Sequence, residues 1–121
     1  ATYRSAVSRA YYGAFHLTRE FLSTLGFHAP RGANEHQWAP RHFINCQLAT
    51  AVELGKLLES LHVSRKEADY DLQATGNETI AAARFAVLRA EQIKSLLTAC
   101  QNELATVREE MVTYRKAVRL A

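Results

Sequence analysis

Apolar or ring-bearing residues recur in the first part of the chain at Val7, Tyr11, Ala14, Thr18, Phe21 and Leu25, in steps of four and three. That spacing draws one stripe along an α-helix, because residues three and four apart share a face. It predicts a helix over about Thr2 to Leu25, with Thr2 as N-cap and Gly26 as left-handed terminator. The opposite side carries Arg4, Ser8, Arg9, Tyr12, His16, Arg19 and Glu20. Gly26 to Ala33, punctuated by Pro30 and Gly32, reads as a loop. Asn34 reads as the next N-cap, with Gln37 three positions on in capping-box fashion. Pro40 comes too late for a first turn and predicts a kink or break near Ala39.

From Arg41 to about Asp69 the helical period returns, with Ile44, Leu48, Ala51, Gly55, Leu58 and Leu61 as its stripe. A break near Asn45-Cys46 makes this two helices and continuity makes it one; the pattern leaves both open. Leu72 to Gly76 reads as a turn, after which Thr75 or Asn77 caps a last helix with Glu78 in its first turn. Unbroken to the chain end, that helix has about 43 residues and a length of roughly 65 Å, longer than a domain of this size is wide. Its distal part repeats Ile93, Leu97, Cys100, Leu104, Val107, Met111, Tyr114 and Val118, a heptad seam. Such a seam either folds against its own bundle or pairs between subunits. Pairing is the favoured reading, because a short chain offers few other surfaces for so long a stripe. The pattern therefore predicts an all-α, up-and-down bundle of four to five helices with a long C-terminal helix. It forms one domain over residues 1–121, with 98–121 as a candidate projecting dimerisation helix.

Composition adds few constraints. The 121 residues suit one domain, and two prolines and five glycines are too few for an all-β or disordered chain. The formal charge of +3 permits an acidic partner such as RNA without demanding one. Cys46 and Cys100 match no CxxC or disulfide pattern and read as reduced core or interface residues. There is no membrane-length apolar run and no visible signal peptide, so the expected location is cytoplasmic. The chain opens at Ala1 without Met, which suggests a preceding segment. His28, His36 and His42 lack zinc-like spacing, and no metal or cofactor is expected. Trp38, beside Pro40, reads as a helix-anchoring core ring rather than a stacking platform.

Two stretches mix rings with ionisable groups. Arg9, Tyr12 and His16 share a helix face by their spacing of three, four and seven. His16 offers an imidazole that could act as acid or base, and Arg9 has the fork geometry for a phosphate or carboxylate. The plainer reading has Tyr12 and His16 half-buried and Arg9 paired with an acid such as Asp69. The second stretch is Arg65 with Asp69, Tyr70 and Asp71. Arg65 and Asp69 stand in the i, i+4 relation of an intrahelical ion pair, and Arg65 could instead reach a phosphate oriented by Asp69 and Tyr70.

Arg-Ser-Ala-Val-Ser-Arg-Ala-Tyr-Tyr-Gly-Ala-Phe-His at 4–16, a lone His36 opening the next helix, and Arg-x-x-x-Asp-Tyr-Asp at 65–71 together resemble the HEPN-domain family. More closely, it resembles small bacterial members with S-R-A-Y-Y-A-A-F-H and R-x-x-A-D-Y-D motifs, over roughly residues 4 to 97. The resemblance implies a dimeric helical bundle, often partnered by a small nucleotidyltransferase as in toxin–antitoxin pairs. Many such proteins are metal-independent RNases in which Arg and His act at the dimer cleft. Here the His expected four to six residues beyond that Arg is missing, since positions 70 to 72 are Tyr, Asp and Leu. Arg31-x4-His36 fits that spacing but straddles a loop and a helix start, and is read as coincidence. Relatives also usually carry a helix before the first motif.

The resemblance assigns Arg65, with His16 or His36, to any catalytic role. Residue type and spacing make Arg9, Tyr12, Asp69 and Tyr70 the candidates for nucleotide or RNA binding, and the resemblance makes Tyr70 the candidate for modification by AMP transfer. The leading expectation is a dimeric binding or regulatory protein that works with a nucleotidyltransferase or binds RNA or nucleotide. The alternatives are a metal-independent RNase toxin and a purely structural dimerisation module.

Overall fold

A computed structural model describes the backbone of residues 2–70 and 76–119, and the side chains of residues 3–68 and 80–119. Within these lie five helices and no strand: α1 (Thr2–Thr24), α2 (Glu35–Ile44), α3 (Ala49–Tyr70), α4 (Gly76–Asn102) and α5 (Leu104–Ala117). The chain is an all-α helical bundle. Helices α1, α3 and α4 pack on one another, α2 lies along α3, and α5 touches α2 and α4.

The core follows the stripes. Val7, Tyr11, Ala14, Thr18, Phe21 and Leu25 of the first stripe are all buried, and Thr18 satisfies its hydroxyl by donating to the Ala14 carbonyl at 2.8 Å. Ala51, Gly55, Leu58 and Leu61 are buried likewise, joined by Leu54. Gly26 ends α1 at φ +90, with the Phe27 amide bonded to the Leu22 carbonyl and the Gly26 amide to that of Ser23. This is a Schellman termination, and it needs a residue without a Cβ. Asn34 caps α2 through its side chain, which accepts from the His36 amide at 3.2 Å. Gln37 does not close a capping box, because its carbonyl oxygen accepts from Arg41 instead.

Of the kink or break expected near Ala39, the break is absent, and α2 runs through Pro40 to Ile44. Trp38, Ala39, Pro40 and Phe43 are buried, and that packing outweighs the one backbone bond a proline removes. The chain breaks instead at Asn45–Leu48, which settles the open choice in favour of two helices. The expected caps at Thr2, Thr75 and Asn77 and the 72–75 part of the turn lie outside the described residues or side chains.

The last helix is long but divided. It breaks at Glu103, where φ is −118 and ψ is 35, although no glycine or proline stands there. The distal segment does not project. Arg108 Nε donates to the Leu25 carbonyl at 3.2 Å, and Glu110 Oε1 accepts from the Gln47 and Leu48 amides at 3.2 and 3.1 Å. Helix α5 thus supplies partners for backbone groups left open at the end of α1 and the start of α3. Ile93, Leu97, Cys100, Val107 and Met111 of the seam are buried within this chain, while Leu104 and Val118 stay exposed. The stripe that suggested pairing between subunits is thus largely used internally. Cys46 and Cys100 are free and buried, and burial pushes the Cys46 thiol up to about 12. No described helix is long and apolar enough to cross a membrane.

Candidate functional site

Helix α1 places Tyr11 and Phe15 inward and Tyr12 outward, because a 3.6-residue period turns neighbours away from one another. The start of α2 brings His36 against them. Tyr11 Oη is hydrogen-bonded to His36 Nδ1. His36 stacks on Phe15 with ring centroids 4.6 Å apart and on His62 of α3 at 4.9 Å. His62 also stacks on Tyr11 at 4.9 Å. One turn further along α3, the Arg65 guanidinium lies 5.2 Å from the centroid of the Tyr12 ring, in cation–π range. Three helices thus build one cluster of rings with a cation at its edge.

The electrostatics follow from this packing. Burial, then the nearby charge of Arg65, holds His36 below the ordinary histidine value. His62 is pushed down to about 4, first by burial and then by Lys66, His36 and Arg65. Burial raises the Tyr11 hydroxyl well above the ordinary phenol, so it remains protonated. Near neutral pH the cluster therefore holds two uncharged imidazoles and an intact phenol beside a guanidinium. Arg65 supplies hydrogen-bond donors only, in the planar fork that matches phosphate or carboxylate oxygens.

A cleft of about 580 Å³ opens beside this cluster, lined by Tyr12, Phe15, His16, Arg19, Glu35 and His36 among others. Across it Arg19 pairs with Glu35 at 3.4 Å. His16 is exposed and engaged on its own helix, accepting from Arg19 at 3.1 Å and lying 3.4 Å from Glu20.

The sequence-predicted residues divide. Tyr12, His36 and Arg65 come together. Arg9 does not join them: it is exposed and lines a second groove, between α1 and α4, which His16 also borders. The expected Arg9–Tyr12–His16 trio is therefore two surfaces, with Tyr12 turned under Arg65 and Arg9 facing α4. The side chains of Asp69 and Tyr70, together with Asp71, lie outside the described residues. The ion pair expected between Arg65 and Asp69, and the modification expected at Tyr70, fall there too.

Sequence reasoning missed His62 and the ring role of Tyr11. The available signal was His62-x-x-Arg65, a spacing that puts both on one face of α3. Among the described residues no group of three His, Cys, Asp or Glu could hold a metal ion.

A second ring cluster is structural. His42 is fully buried, its Nδ1 donates to the Trp38 carbonyl at 2.8 Å, and its Nε2 accepts from Arg115 at 2.9 Å. Trp38, Phe27 and Tyr114 surround the imidazole. Trp38 is buried here, in the anchoring position expected of it. This cluster fastens α5 to α2.

No family model, curated protein or solved structure matched this chain.

Proposed function

We propose that the chain is a HEPN-like binding or regulatory protein that takes RNA or nucleotide phosphate at Arg65, and that it acts as a homodimer beside a nucleotidyltransferase partner. The family reading rests on the motifs at 4–16 and 65–71, and a helical bundle is compatible with it. The observation that carries the binding role is Arg65 lying over Tyr12 beside His36 and His62. The cation can take a phosphate, and the partly exposed Tyr12 ring offers a face to a base. Pairing between copies rests on the resemblance alone, because most of the seam is buried within the chain.

Fluorescence anisotropy with fluorescein-labelled single-stranded RNA tests the binding role. Arg65→Ala is expected to weaken binding about 10-fold or more, the worth of a charge-assisted hydrogen bond. Arg84→Ala, an exposed charge on α4, serves as the control. Equal affinities for Arg65→Ala and wild type refute the role. Light scattering that finds 13.6 kDa rather than twice that mass refutes the dimer.

A second reading is favoured by the placement of Arg65 and His36 against one ring, 5.2 and 6.1 Å from the centroid of Tyr12. Those two residues would form the composite site of a metal-independent RNase, with His16, which borders the same cleft as His36, as the alternative imidazole. RNA cleavage in EDTA that disappears in both Arg65→Ala and His36→Ala would establish it. Intact RNA at micromolar protein excludes it.

A further inference from the structure

The Tyr11–His36 hydrogen bond determines what His36 can do. Tyr11 is fully buried, and among the described residues its hydroxyl has this one hydrogen bond. A buried phenol proton without an acceptor is costly, so the O–H donates and His36 Nδ1 accepts. The opposite arrangement, with Nδ1–H donating to the phenol oxygen, would leave the phenol proton with nowhere to go. A neutral imidazole that accepts at Nδ1 carries its proton on Nε2.

We infer that Tyr11 is a positioning residue that holds His36 neutral with its proton on Nε2, so that His36 and Arg65 together form a donor-only pair for the oxygens of a phosphate group. This rests on the proposed binding role of Arg65 for its ligand, but not for its proton placement. The Nε2 atom lies on the far side of the ring from Tyr11 and carries N–H rather than a lone pair. In this form His36 donates to an anion and is not set to remove a proton from a ribose hydroxyl. The site therefore selects ionised phosphate oxygens, which accept only, over groups that must themselves donate.

The charged and titratable groups that bear on His36 agree with a neutral ring. Arg19 approaches from α1, Glu35 is its neighbour on α2, and Arg65, Lys66 and His62 approach from α3. The three permanent cations oppose a second positive charge, and Glu35 favours one. Protonating Nδ1 would also force the Tyr11 O–H to turn away from its acceptor.

The test is long-range proton–nitrogen correlation NMR on nitrogen-15-labelled protein, followed from about pH 8 to about pH 4 across the histidine range. A His36→Gln variant assigns the His36 signals. Wild-type His36 is expected to be protonated at Nε2 and to titrate below the ordinary histidine value. In Tyr11→Phe the midpoint is expected to move up toward that value, and the tautomer bias is expected to weaken. A wild-type His36 protonated at Nδ1 overturns the inference, as does a Tyr11→Phe protein with unchanged tautomer and midpoint. If Tyr11→Phe does not fold, the wild-type tautomer alone decides. The anisotropy experiment fails or succeeds separately: equal RNA affinities of Arg65→Ala and wild type sink the functional reading and leave the Nε2 assignment standing.

Discussion

Helices α2 and α3 meet at Gly55, and a single methyl group there tests the packing directly. A Cβ built on Gly55 would lie 2.6 Å from Ile44 Cγ1 and 3.0 Å from both the Ile44 amide nitrogen and the Pro40 carbonyl oxygen. Ile44 can rotate its side chain, but the two backbone atoms belong to α2 and move only with it. Overpacking of this kind costs about 1–3 kcal/mol. Against it stands the helix-forming advantage of alanine over glycine, about 0.5–1 kcal/mol. The steric effect prevails, and Gly55→Ala is expected to lose up to about 2 kcal/mol. Gly13 is the control. It lies within α1, is exposed, and has nothing within 4 Å of its built Cβ. Gly13→Ala keeps the propensity gain without the clash and should gain about 0.5–1 kcal/mol. Urea unfolding followed by helical circular dichroism reads both variants, and thermal midpoints should diverge by roughly 4 °C per kcal/mol. A Gly55→Ala protein as stable as Gly13→Ala would refute the close approach of α2 to α3.

Two further predictions concern the end of the bundle. His42 is neutral in the fold, because burial first, and the Arg115 charge as well, hold it below the ordinary histidine value. The unfolded chain therefore binds a proton there that the folded chain does not. The stability that the neutral ring contributes is complete above about pH 6.5 and falls as pH drops toward the folded value, by at most about 1.4 kcal/mol per pH unit. Urea midpoints at several pH values should show this slope and its reduction in His42→Gln; an identical slope in the variant would rule out His42 as its source. Glu110→Ala removes the acceptor shared by the Gln47 and Leu48 amides and should cost about 0.5–2 kcal/mol in thermal stability. If α5 did not cross the start of α3, Glu110→Ala would behave as an ordinary surface substitution.

Sequence periodicity located the helices because burial acts on local pattern: the six residues of the first stripe needed no knowledge of their neighbours to be assigned inward. Gly26 and Asn34 were legible for the same reason, since a left-handed turn and an N-cap each depend on one residue's own chemistry. Pro40 and Glu103 were not. Proline's local preference was overridden by the packing of α2, and the break at Glu103 carries no local signal. It is favoured by partners that α5 finds far away in sequence, at Leu25, His42, Gln47 and Leu48.

The candidate site shows the same division. Arg65, Tyr12 and His36 could be named individually, because an Arg, an exposed ring and a lone imidazole each have chemistry legible from residue type. Local pattern and residue type specify an all-α chain and its stock of cations, rings and imidazoles. Packing between helices selects which of these meet: it turns Arg9 toward α4, stacks His62 on His36, and sets Tyr11 against the Nδ1 of His36. The physical reason is that helix spacing governs which face a residue occupies, whereas contacts between helices depend on how those faces pack in three dimensions.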